Sequence, residues 1–312
     1  MQLVKNVQKV KWHSIASIFA DVVVSPWNLL IGGLLISKLT FIESFTSIVT
    51  GYTILFIVFY FYGGLGFSKS SKTSELIQPI FGKKITKYGF STLLAVGQIG
   101  WFAVITQIGG TALANLFGVD IRLGILIYAI LMYLISSLSL YKMGIVKLLI
   151  TSSSISLIIF LLVNNYSEIN LDLLINSQDS SNSIIWGISI VCFSLISFAS
   201  VSPDFFSQLN TKKDVFYSSL LGIIIPGITV ATLGSILFFE KDLTFEALVG
   251  IGAISILGHI FNITTNTDAS VAIYTPANRL EYMFGIKFEI ALAIAVVFGT
   301  LLALLDITSR LE

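Results

Sequence analysis

The sequence has one cysteine, Cys192, and two histidines, His13 and His259, in 312 residues. An internal disulfide is therefore excluded, and so is a thiolate or histidine-rich metal cluster. Cys192 lies in an apolar run, where it reads as a small buried hydrophobe. Charge is scarce too: Asp, Glu, Lys and Arg make up 11% of the chain and the net charge is +1. Without a concentrated basic face for phosphate, nucleic acid is excluded as a partner. Residues Met1–Val10 carry lysines but no short apolar core with a small-residue cleavage site, so the first long run reads as a retained helix rather than a signal peptide. No low-complexity tract or soluble linker divides the chain, and residues 1–312 form a single domain.

What is abundant is apolar surface: 55% of the residues are hydrophobic and the mean hydropathy is +0.92. A soluble core cannot hide that much. Runs of roughly 18 or more apolar residues, long enough for a bilayer core of about 30 Å, recur along the whole sequence. They are continuous rather than alternating with period two, which favours helices over a β-barrel. The lipid bilayer is the expected solvent. The spans fall near 14–37, 44–67, 88–116, 121–140, 143–163, 184–207, 215–238, 246–276 and 287–305. Assigning alternate loops to the cytoplasm collects 14 of the 18 Lys and Arg residues there and leaves Lys38, Arg122, Lys241 and Arg310 outside. This positive-inside split puts the N-terminus in the cytoplasm of a multi-pass protein of the cell membrane. The loop 164–183 carries neither Lys nor Arg and reads as external. It forms a seam between a first five-helix repeat, 14–163, and a second, 184–305, that lacks its last helix.

Ionisable groups deep in a span cost at least ~2.5 kcal/mol near its centre and are site candidates for that reason. Asp21 and Asp268 are the deepest acids. Lys147, Glu246, Lys287 and Glu289 lie near span ends and read as snorkelling side chains, and mid-span His259 reads as a packing residue. The first span contains Ser25-Pro26, and proline frees carbonyls upstream of it. A simple kink and a solvated or ion-binding break weigh equally there. The eighth span holds the densest polar stretch, Asn262-Ile263-Thr264-Thr265-Asn266-Thr267-Asp268-Ala269-Ser270, more than helix packing usually needs. Thr264 and Thr265 lie ~5 Å to the cytoplasmic side of that span's centre, and Ala20 to Val23 lie ~4–8 Å to the same side in the first span. Hydroxyls and unwound carbonyls suit a small cation such as sodium, and a nearby acid serves protons equally well. The third span places Trp101 at its centre among small residues, a setting for flat stacking or for close packing. In the sixth, Ser197-Phe198-Ala199-Ser200-Val201-Ser202-Pro203-Asp204-Phe205 weakens the helix just past its midpoint. Asp204 reads as a helix-end cap.

With these segments in view, nearly the whole chain resembles the nucleobase:cation symporter-1 family, most closely its cytosine permease branch. The resemblance rests on Ile99-Gly100-Trp101-Phe102, Pro203-Asp204-Phe205, Thr264-Thr265-Asn266, Gly299-Thr300-Leu301-Leu302-Ala303-Leu304-Leu305 and the loop Phe81-Gly82-Lys83-Lys84. It implies an all-α leucine-transporter-like inverted repeat of five plus five helices, here stopping after the ninth, with broken first and sixth helices. It also implies proton- or sodium-coupled uptake of a nucleobase such as cytosine, or a related flat heterocycle, by alternating access and without a cofactor. The solute would stack on Trp101, with Phe198 closing the other face, and Val24, Ser25, Ile105, Asp268 and Ser270 complete the expected solute set. The implied cation ligands are Ala20, Val23, Phe261, Thr264 and Thr265, with Asp21 beside them. One turn after Trp101, where relatives often offer an amide, this sequence has Ile105, so a same-fold transporter for a hydantoin, a vitamin precursor or an amino acid is the alternative. Neither Thr106 nor Gln107 shares the Trp101 face as cleanly. A membrane-embedded enzyme is not expected, since no span carries paired acids at ligand spacing or a positioned nucleophile and base.

Overall fold

A computed structural model describes residues 9–165, 174, 181–239 and 256–305. Its helices are α1 (Trp12–Val23), α2 (Pro26–Ile36), α3 (Phe41–Lys69), α4 (Thr73–Phe81), α5 (Lys83–Phe117), α6 (Ile121–Ser136), α7 (Leu140–Asn165), α8 (Ile184–Ala199), α9 (Pro203–Phe206), α10 (Lys212–Leu237), α11 (Ile256–Thr265), α12 (Ala269–Phe284) and α13 (Phe288–Leu304). Among the described residues, α3, α5, α7 and α10 are each long and apolar enough to cross a bilayer, and the bent pair α1–α2 makes a fifth such span. The shorter apolar helices α6, α8 and α13 fall within three more of the expected spans. The loop 164–183 lies largely outside the described residues. So do Lys5, Lys241, Glu246, Arg310 and the start of the expected span 246–276.

Local sequence explains the helix boundaries. A reciprocal capping box starts α3, with the Glu43 amide donating to Thr40 Oγ1 and the Thr40 amide donating to Glu43. Thr211 and Asp214 do the same for α10, and Asp120 accepts the Arg122 amide at the start of α6. Each satisfies donors that a helix leaves orphaned at its first turn. Gly118 and Gly285, at φ of 66° and 68°, end α5 and α12 in the left-handed conformation that costs glycine least.

The packing is that of a molecule dissolved in lipid. Leu149, Phe193 and Phe298 are 66%, 76% and 60% exposed, whereas Asp21, Lys147, Asp204 and Arg279 are buried. Helices α2 and α10 approach with backbone in contact: a Cβ at Gly32 would fall on Ala231 O and one at Gly234 on Leu29 O. Small residues at such crossings are what helix association in a bilayer requires. One apolar cluster joins α1, α3, α8, α9 and α10 around Phe19, Tyr52, Phe59 and Phe205, and another joins α5, α6, α12 and α13 around Phe102, Tyr128 and Leu292.

Three of the helical spans are interrupted. Helices α1 and α2 meet at 52° across Val24 and Ser25, α8 and α9 are separated at Ser200–Ser202, and α11 and α12 at Asn266–Asp268. The third interruption corrects the expectation of one continuous eighth helix. It falls inside the polar stretch, and α12 then runs on to Phe284, beyond the expected end at 276.

Candidate functional site: a cavity between broken helices

The first break is held open by side chains from outside the bend. Pro26 occupies the first turn of α2, where its missing N–H is not needed. Asn28 Nδ2 donates to Val23 O at 2.7 Å and its Oδ1 accepts from Tyr52 OH of α3 at 2.5 Å. A carbonyl freed by the break is thus satisfied within the protein. Ser25, the residue before α2, makes no side-chain capping bond, and its side chain is a wall of the cavity beyond.

That cavity, about 720 Å³, lies between α2, α5, α8 and α12. Trp27, Gln98, Trp101, Phe198, Ser25 and Asp268 line it. The rings of Trp27 and Trp101 pack with centroids 5.1 Å apart and planes tilted by 44°. Phe198 stands edge-on to Phe19, at 5.1 Å and 76°, so an aromatic cluster fixes it from behind. Asp268 Oδ1 is buried with no hydrogen-bond partner among the described residues, and it immediately precedes α12, whose N-terminus favours negative charge.

Behind the α1–α2 break, Lys147 of α7 is completely buried. Its Nζ lies 2.5 Å from Asp21 Oδ2 and donates to Thr267 O at 2.5 Å. Asp21 Oδ1 accepts from Thr267 Oγ1 at 2.8 Å. This corrects the reading of Lys147 as a snorkelling residue. Helix α7 starts at Leu140 rather than 143, which sets Lys147 about 10 Å along its axis. The break in α11–α12 is held by the same neighbours. Thr267 O accepts from Lys147 and from Ser270 Oγ, and Ser270 O accepts from Ser136 of α6.

A second buried ion pair lies past the Ser200 end of the cavity. Arg279 Nη2 and Asp204 Oδ2 are 2.5 Å apart, with both side chains out of contact with solvent. Asp204 Oδ1 accepts the Thr73 amide at 2.9 Å, Thr73 Oγ1 donates to Ser200 O, and Arg279 Nη1 donates to Ser74 Oγ. The expected cap at the helix end where Asp204 lies is not made; its carboxylate instead accepts the first amide of α4 and pairs with Arg279.

The expected solute set is only partly assembled. Ser25, Trp101, Phe198 and Asp268 share the cavity. Val24 instead packs with Leu29 and Phe261, and Ile105 is buried in the apolar cluster of α5, α6, α12 and α13. Ser270 spends its hydroxyl on Thr267 O. The expected cation ligands are engaged at home. Ala20 O accepts the Val24 amide, Val23 O accepts Asn28, and the Thr264 and Thr265 hydroxyls both donate to Phe261 O. Sequence reasoning passed over Trp27 and Gln98. Gln98 was legible, since it precedes Trp101 by three residues and so lies within about 60° of it on the helix surface.

No family profile matches the sequence, and no curated protein matches it at the sequence level. Solved structures do match. The chain is similar to Mhp1, a nucleobase-cation-symport-1 family transporter in a closed conformation with bromovinylhydantoin bound, with a TM-score of 0.78 and 17% identity over 95% of this chain and 72% of that one. It is also similar to the manganese transporter of Eremococcus coleocola, with a TM-score of 0.72 and 11% identity over 99% and 76% of the two chains. A Na+-coupled sialic acid symporter matches with a TM-score of 0.67 and 16% identity over 98% and 76%. The fold is leucine-transporter-like. These neighbours are transporters rather than enzymes, and their identities to this chain carry the fold but not the cargo.

Proposed function

We propose that the protein is a secondary transporter that moves a flat, nucleobase-like heterocycle across the membrane by alternating access, coupled to a cation. The cavity walled by Trp27, Trp101 and Phe198 is the observation that carries this reading. Aromatic faces accept a planar ring and a few polar groups fix its edge. In this reading the amide missing at Ile105 comes from the opposite direction along α5, where Gln98 reaches the cavity wall. Gln98 offers both a donor and an acceptor, and Ser25 and Asp268 complete the polar edge. The cytoplasmic N-terminus and the two repeats at 14–163 and 184–305 belong to the same proposal. A hydantoin is the second candidate cargo, favoured by the bromovinylhydantoin bound in Mhp1.

The test is uptake of radiolabelled cytosine, hypoxanthine and bromovinylhydantoin into proteoliposomes under imposed proton or sodium gradients. Gradient-driven accumulation of at least one is expected. Stacking on an aromatic contributes about 1–3 kcal/mol per ring, so Trp101→Ala should weaken binding of that solute by about 5- to 150-fold. No accumulation of any of the three under either gradient would sink the reading.

A further inference from the structure

We infer that the trough between α1, α7 and α10 is a binding site for one anionic phospholipid, with an acyl chain lying in the trough and the phosphate at its lysine-rich end beside Trp12. The inference goes beyond the transport reading and needs no solute. The leaflet concerned is the one at the N-terminal end of α1.

The trough, about 480 Å³, follows from how α1 seats. A Cβ at Gly144 of α7 would fall on Ser14, and one at Gly222 of α10 would crowd Ala16, so α1 lies close against both helices. Along the trough α1 presents only small side chains, Ala16, Ser17 and Ala20, which form its floor. Leu148 of α7 and Ile225 of α10, both exposed, flank an opening toward lipid, while Ile158, Val230 and Leu233 pack together and close the far end. The α7 wall from Leu148 to Ile158 runs about 15 Å, the depth of one leaflet in a hydrocarbon core of about 30 Å. A blind trough of that length excludes a spanning helix, which needs a groove through both leaflets, and fits a lipid tail. Most hydroxyls in it are spent on their own helices, Ser17 on His13 O, Ser152 on Leu148 O and Thr229 on Ile225 O. Only Thr151 Oγ1 on its wall is without a partner among the described residues, too little to orient a polar solute.

The open end of the trough is charged. Trp12 is fixed there: its amide donates to Asp214 Oδ1 at 3.1 Å, its carbonyl accepts from Ser218 Oγ at 3.2 Å, and its ring lies 5.8 Å from that of Tyr217. Tryptophan and tyrosine are the side chains that sit at headgroup level. The same bonds bring the first turn of α10, with Lys212 and Lys213, beside Lys11 at the start of α1. All three lysines are exposed, and none pairs with an acid among the described residues. Against these three ammonium groups stands the one carboxylate of Asp214, which is buried and already accepts the Trp12 and Thr211 amides.

Shape and charge together select the occupant. A phosphodiester supplies negative charge beside the lysines and its acyl chain fills the apolar trough. An uncharged lipid satisfies only the second requirement and a free anion only the first. The seated chain packs against the half of α1 that precedes the break at Val24–Ser25, and so adds to the contacts that hold that half against α7 and α10.

The test uses the purified full chain, delipidated in dodecyl maltoside. Native mass spectrometry and thermal unfolding are followed on addition of dioleoylphosphatidylglycerol, dioleoylphosphatidylcholine or glycerol phosphate. A lysine at the surface contributes about 5-fold to affinity for an anionic lipid. One phosphatidylglycerol is therefore expected to be retained at least about 10-fold more tightly than phosphatidylcholine and to raise the melting temperature, with glycerol phosphate doing neither. Lys11→Gln/Lys212→Gln/Lys213→Gln should bring retention of phosphatidylglycerol down to that of phosphatidylcholine. Ser152→Phe/Thr229→Phe fills the trough from two exposed positions and should abolish the tight retention. Because variants can fail to fold, wild type is also irradiated with phosphatidylglycerol carrying a diazirine at the end of one acyl chain, and adducts on α7 and α10 near Ile158 and Leu233 are expected. Equal retention of the two lipids, tight retention that survives filling of the trough, equal stabilisation by glycerol phosphate, or adducts confined to other helices would overturn the inference.

Discussion

Replacing Arg279 by Met removes one member of a buried pair and leaves Asp204 with only the Thr73 amide at 2.9 Å. Breaking a buried pair from one side costs about 3–5 kcal/mol, because the remaining charge has lost both water and partner. Asp204→Leu leaves the guanidinium stranded and also removes the cap of α4, worth ~1 kcal/mol more, so about 4–6 kcal/mol is expected. The double variant Asp204→Leu/Arg279→Met is roughly volume-conserving and removes both charges. Only the cap and minor repacking are then lost, about 1–2 kcal/mol instead of the sum of about 7–11. The assay is equilibrium unfolding of each variant in mixed micelles of dodecyl maltoside and SDS, followed by tryptophan fluorescence. Additive costs would refute the pairing argument, and so would an Arg279→Met protein within about 1 kcal/mol of wild type.

Two further outcomes follow from the geometry. Asn28→Ala strips Val23 O and Tyr52 OH of their partner and should cost about 1–3 kcal/mol in the same micelle titration. Tyr52→Phe should cost less, because Asn28 keeps its bond to Val23 O, and equal losses would contradict the proposed order of dependence. Gly32→Val should prevent α2 from seating on α10 and abolish folded protein on size-exclusion chromatography, since even a Cβ there would fall on Ala231 O. A monodisperse, fully folded Gly32→Val protein would show that the crossing is looser than described.

Much of this arrangement was legible in the sequence because the bilayer imposes a strong code. Apolar run length located the spans, and Pro26 and Pro203 marked the first two breaks through chemistry local to the chain. The third break was not legible in the same way. Asn266-Thr267-Asp268 contains neither proline nor glycine, and the interruption is sustained by Lys147 and Ser136, which arrive from α7 and α6. Lys147 was misread for the same reason. Hydropathy assigns a depth to a lysine but cannot show that a neighbouring helix presents an acid at that depth. The Asp204–Arg279 pair joins residues 75 apart in sequence and reveals itself only when α12 is seen to extend past the expected span. The cavity was half legible. Trp101 announced itself by its central position, while Trp27 joins it only through the bend at Val24–Ser25, which turns α2 across the cavity.

The three interruptions have a mechanical consequence. Bending an intact helix breaks axial hydrogen bonds in hydrocarbon, where no water replaces them. Here those bonds are already given up at Val24–Ser25, Ser200–Ser202 and Asn266–Asp268, where Val23 O is bonded sideways to Asn28, Ser200 O to Thr73, and Thr267 O, which also accepts the Ser270 amide, to Lys147. Tilting one half of the molecule against the other therefore need not melt any helix. It requires only that a few lateral side-chain clasps change partners, so the resistance to movement is concentrated in individual residues, and its height can be reset one substitution at a time.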